Sequence, residues 1–166
     1  MKKTDKFLIG IVSGIILLVI VAFVFALNKP KQTYQSDSSP EGVAFNYLFA
    51  LQQNDYEKAY GYLAPSIKGY PRTVDAFVDD IKDNSWRFNR LNSSSTTLEV
   101  EATNITGQRA DVKIRETQFY EGDLFSSGQY ASTFQMELRQ DENGKWEITE
   151  SDDYWAWCWS DSDGCN

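Results

Sequence analysis

Residues 7–27 (FLIGIVSGIILLVIVAFVFAL) are 21 consecutive positions without a charge. As a helix, at about 1.5 Å rise per residue, such a run extends roughly 30 Å, the hydrocarbon thickness of a bilayer. The expected fold therefore has two parts, a transmembrane helix and a polar domain beyond it. A cleaved secretory signal is the alternative. Its apolar region is shorter, roughly 7–15 residues, which favours a retained anchor, although Val24-Phe25-Ala26 offers acceptable residues for cleavage. No Cys directly follows the segment, which argues against a lipid-anchored form.

Charge sets the expected orientation. Lys2, Lys3 and Lys6 precede the apolar run, and residues 28–166 carry 13 Lys+Arg against 23 Asp+Glu, a net of −10. A short basic tail kept in the cytoplasm and an acidic domain outside follow from that contrast. The expected localisation is the cell membrane, single-pass, with the C-terminal domain extracytoplasmic. Cys158 and Cys165 fit this, since an oxidising compartment permits a disulfide between them; two free thiols are the alternative. Gly10 and Gly14 form a G-x-x-x-G strip of the kind that lets two helices approach closely, so a homodimer through them is one expectation.

The rest divides by composition. Residues 1–6 read as the tail, 7–27 as the anchor and 28–39 (NKPKQTYQSDSS) as a flexible linker. Residues 40–151 then form one domain, and 152–166 a Trp-rich acidic tail. The domain opens with helical signals: Ser39 as N-cap, Pro40 at N1 and Glu41 at the positive end of the helix dipole. Ala44, Tyr47, Leu48 and Leu51 recur at helical spacing. Asp55 caps a second helix with Tyr56, Ala59, Tyr60 and Leu63 on its apolar face. A third starts at Thr73, with Phe77 and Ile81 inward and Asp75, Asp79, Asp80 and Asp83 toward water.

After Trp86 the period becomes two. Leu98, Val100 and Ala102; Ala110, Val112 and Ile114; Phe134, Met136 and Leu138; and Trp146 with Ile148 each alternate with polar residues. That is the pattern of half-buried antiparallel strands. Ile105-Thr106-Gly107 and Glu142-Asn143-Gly144 each suit a three-residue hairpin ending in a left-handed Gly. Three helices followed by a meander of about four strands make an α+β layer.

That order, with the stretch SPEGVAFNYLFALQQNDYEKAYGYLAPS at 39–66 and the closing NGKWEI at 143–148, resembles the nuclear-transport-factor-2-like superfamily. The resemblance covers roughly residues 40–150 and implies a curved sheet wrapped around helices as a cone. It implies no single chemistry, because that fold hosts enzymes, carriers and dimerisation modules alike.

The chain has no His, which removes the commonest general base and most zinc sites. It has no P-loop or dinucleotide-binding glycine pattern. The acidic balance argues against nucleic acid. No cofactor or metal is expected; Asp161-Ser162-Asp163-Gly164 is only part of a calcium-loop pattern.

One pocket can be built from strand parity. With Ala110, Val112 and Ile114 facing Leu138, Met136 and Phe134, Glu116 falls on the inward face opposite Ser132. Gln118 and Tyr130 lie near the open end, and Tyr60 could add a hydroxyl. A carboxylate in an apolar cup could serve as an acid or base; alternatively Glu116 sits at a wet rim or bonds to Ser132. In the tail, extended backbone would line Trp155, Trp157 and Trp159 along one side, either covering the sheet or forming an exposed aromatic platform. The reading that results is a non-enzymatic binding or assembly module of the cell envelope, its partner an envelope protein or a second copy. A small-ligand, lipid-like cup is the alternative, and an isomerase- or hydrolase-type enzyme using Glu116 a further one.

Overall fold

The computed structural model describes residues 3–27, 32–92, 95–120 and 128–165. They fall in two compact units, Met1–Thr33 and Tyr34–Asn166.

The first unit is a helix, α1, Lys3–Leu27. Its described side chains, at residues 7–23, are all exposed. Among the described residues no helix is long and apolar enough to cross a membrane. This corrects the expected membrane anchor, and with it the single-pass localisation and orientation. Gly10 and Gly14 lie on α1, and both face open space.

The second unit is α+β. Helices α2 (Pro40–Gln52), α3 (Tyr56–Tyr60), α4 (Val74–Asp83) and α5 (Ser85–Phe88) precede strands β1 (Thr96–Thr106), β2 (Arg109–Tyr120), β3 (Gly128–Gln140) and β4 (Trp146–Ser151). The strands form one antiparallel meander in the order β1-β2-β3-β4. Capping sets the helix starts: Ser39 Oγ accepts from Gly42 N–H at 3.3 Å, and Thr73 Oγ1 from Ala76 N–H at 3.1 Å. Every residue of α2 from Gly42 to Leu51 is buried. It is the central element of the core, where each large apolar side chain contributes roughly 1.5–3 kcal/mol.

The inward parity of the sheet follows the sequence pattern at β2 and β3. Ala110 pairs with Leu138, Val112 with Met136 and Ile114 with Phe134, and all six are buried. Three details differ from expectation. A register shift between Val100 and Ala102 turns Ala102 outward, opposite Lys113, because one extra residue in a strand reverses the faces beyond it. The β1–β2 hairpin closes on the pair Thr106 and Arg109, so its loop is two residues, with Gly107 at φ +62°. The β3–β4 loop runs from Asp141 to Lys145, where Asp141 Oδ1 accepts from the N–H groups of Asn143 and Lys145, both at 2.8 Å.

Residues 34–39, read from sequence as linker, are fixed to the domain. Asn46, buried in α2, accepts from Gln35 N–H at 2.7 Å and donates to Gln35 O at 2.9 Å and Asp37 Oδ1 at 2.6 Å. Tyr62 Oη donates to Asp37 Oδ1 at 2.9 Å. A buried amide in a helix needs such partners, and the preceding segment supplies them. Residues 28–31 lie outside the described residues.

Candidate functional site

Glu116 is the fourth inward position of β2, after Ala110, Val112 and Ile114. It stands opposite Ser132 on one side and Leu98 on the other. Its relative exposure is 1%, so it is not at a wet rim. A buried carboxylate needs hydrogen bonds to both oxygens, and it has them. Tyr154 Oη donates to Oε2 at 2.6 Å, and Gln118 Nε2 donates to Oε1 at 2.5 Å. Tyr120 Oη in turn donates to Gln118 Oε1 at 3.0 Å. Ser132 is half-buried across the strand.

Tyr154 is the residue that sequence reasoning missed. It lies three residues past β4 at φ +55°, a left-handed conformation that turns the chain back into the interior. It is 0% exposed. Its carbonyl accepts from Tyr47 Oη on α2 at 2.8 Å. Its ring packs edge-on against Phe134 (5.5 Å) and Phe88 (6.5 Å), and the Arg90 guanidinium lies 5.7 Å from the ring centre. Arg90 also pairs with Asp153. Burial pushes the Tyr154 phenol above its ordinary value, the Glu116 carboxylate adds to that, and Arg90 partly opposes it. The phenol is therefore a donor to Glu116 and stays protonated.

A second buried pair lies nearby in sequence. Trp159 Nε1 donates to Asp80 Oδ2 at 2.8 Å, and the indole stacks on Phe77 at 5.3 Å. Asp80 was expected to face water with Asp75, Asp79 and Asp83; instead it is 9% exposed. Its position is one step round the helix from the apolar stripe, and the indole N–H supplies the partner that permits burial. Burial raises the Asp80 carboxyl above the usual range, and the Trp159 hydrogen bond partly offsets this.

The aromatic platform is corrected. Trp155 and Trp159 are buried while Trp157 is 63% exposed. The reason is conformational: Trp157–Ser160 is a 3-10 turn, so side chains there do not alternate as in a strand. Cys158 and Cys165 are joined by a disulfide, Cα to Cα 5.0 Å. Gly69 seats this loop, donating its N–H to Trp159 O at 3.1 Å. A Cβ there would stand 2.1 Å from Cys158 O, which explains the glycine.

The remaining pocket candidates are dispersed. Tyr60 Oη is committed to Pro71 O at 2.9 Å, and its ring packs on Tyr70 and Phe77. Tyr130 pairs with Gln118 but is 59% exposed. The structure thus brings Glu116 and Gln118 together, adds Tyr154, and leaves Tyr60 on another cluster. Among the described residues no group of three or more potential metal ligands is found.

No family model matches the chain. No curated protein matches it either. Among solved structures, the neighbours include nuclear-transport-factor-2-like and ketosteroid isomerase-like proteins. A SEC-C-motif-containing protein from Rhodopseudomonas palustris is 17% identical, with TM-score 0.48, over 71% of this chain and 80% of that one. A nuclear transport factor 2-like superfamily protein from Salmonella enterica serovar Typhimurium is 15% identical, with TM-score 0.44, over 67% and 84%. A ketosteroid isomerase-like protein from Erwinia carotovora atroseptica is 13% identical, with TM-score 0.44, over 72% and 95%. At these values no residue role passes from them to this chain.

Proposed function

We propose that the domain is a non-enzymatic binding or assembly module that engages partners through its outer surface. One observation carries this: the inward carboxylate, Glu116, is occupied by the chain's own Tyr154 and Gln118. A general acid or base must reach a substrate proton at hydrogen-bond distance, and a lipid-like ligand needs an apolar cavity. Tyr154, Trp155 and Trp159 are buried in the core, and the Tyr154 hydroxyl takes the hydrogen-bond position on Glu116 that a substrate would need. Outside, Trp86 and Trp157 are 69% and 63% exposed, and tryptophan is enriched where proteins bind one another.

Sedimentation velocity of the full chain over a wide concentration range, with in-cell cross-linking and the variants Trp86→Ala and Trp157→Ala alongside, tests the reading. A defined complex with a second copy or another protein, weakened by either variant, supports it. A chain that stays monomeric and cross-links to nothing would contradict it. So would a turnover abolished by Glu116→Gln.

A further inference from the structure

The second unit has eleven Lys and Arg between residues 34 and 165, and nine of them have a partner. Lys82 pairs with Asp79, Arg90 with Asp153, Arg109 with Asp111 and Glu137, Arg139 with Glu137, and Lys145 with Glu147, while Lys113 and Arg115 share Glu101. Lys58 lies over the Tyr34 ring. Arg87 stacks on Trp86 and donates to the carbonyls of Asp152 and Trp155. Among the described residues of this unit, Lys68 and Arg72 are the two cations without an ion pair, hydrogen bond or ring contact.

These two are four residues apart and line the same cleft, of about 460 Å³. Its walls are the 68–72 segment, Ala76 in the first turn of α4, and residues 162–165 of the disulfide loop. The pattern is unusual for so acidic a chain, where carboxylates outnumber cations 24 to 16. An exposed ion pair is worth at most about 1 kcal/mol, so leaving two cations unpaired costs little stability. In a concave site their field adds at whatever enters.

The acids of the cleft limit what fits. Asp80 also lines it, with Oδ2 held by Trp159, and so does Asp163. A densely charged polyanion would meet both. A molecule with one anionic group directed at Lys68 and Arg72, and a neutral or cationic remainder, would not. The geometry points to a binding site for a small organic molecule whose carboxylate or phosphate pairs with Lys68 and Arg72.

Amide NMR of the isotope-labelled full chain tests this, with acetate and inorganic phosphate as probes and sodium chloride at matched ionic strength as control. Saturable shifts at the amides of Gly69, Arg72 and Gly164 are expected with one or both probes, and the stronger probe identifies the class. Lys68→Ala/Arg72→Ala should weaken binding about tenfold or more, the scale of losing a charge-assisted hydrogen bond. Both side chains are exposed, so the fold should survive, which the unchanged spectrum elsewhere would verify. Lys82→Ala, whose cation is already paired, should leave binding intact. Shifts that merely follow ionic strength, or that persist in the double variant, would overturn the site.

Discussion

Tyr47 and Tyr154, 107 residues apart, are joined by a buried hydrogen bond from the Tyr47 hydroxyl to the Tyr154 carbonyl at 2.8 Å. This single bond ties the first core helix to the segment that closes the interior. Tyr47→Phe keeps the ring and strands the carbonyl. We expect a loss of about 1–3 kcal/mol, the cost of an unsatisfied buried acceptor, read as a lower urea midpoint at unchanged slope.

Tyr154 and Glu116 should be energetically coupled. Tyr154→Phe leaves Glu116 with Gln118 alone, and Glu116→Gln replaces the carboxyl with an amide of similar size. A double-mutant cycle on these two should return a coupling of roughly 0.5–3 kcal/mol, as residues in one hydrogen-bonded network do. Additive single effects would mean that the contact holds nothing.

Asp80 makes a pH prediction. Its carboxyl is raised in the fold, chiefly by burial. The native state therefore holds the proton more tightly than the unfolded chain. Asp80's contribution is fully present below the ordinary carboxylate value of about 3.9 and is lost as pH rises through the folded value. Asp80→Asn has no such titration and keeps an oxygen for Trp159 Nε1. Melting curves should show the variant gaining on the parent as pH increases through this window, with a flat difference at higher pH.

Gly69 should resist substitution. Gly69→Ala places a methyl 2.1 Å from a backbone oxygen, which forces the disulfide loop away. Overpacking of this kind costs typically about 1–3 kcal/mol. Thermal unfolding of the variant should show it, and cutting the disulfide in the same variant should recover part of the loss by freeing the loop.

What could be read from sequence had short-range periodicity behind it. The sheet parity that puts Glu116 opposite Ser132 needs only alternation and two hairpins, and the caps at Ser39 and Thr73 are local. Gln118, two residues on along the same face, was legible as a neighbour of Glu116, but Tyr154 was not, because it belongs to a segment whose turn at φ +55° leaves no periodic mark. The same segment misled the reading of Trp155, Trp157 and Trp159, since alternation was assumed where a 3-10 turn forms. Asp80 looked like its three neighbours in α4. Only the distant Trp159 distinguishes it, and no spacing rule carries a contact across 79 residues.

The central claim is that the interior is closed by the chain's own Tyr154, Trp155 and Trp159. Native mass spectrometry of the non-reduced full chain tests it most directly. The account predicts a folded species carrying no hydrophobic small molecule. A stoichiometric organic adduct, retained under gentle conditions and released on unfolding, would show a cavity that the chain does not fill and would contradict the account.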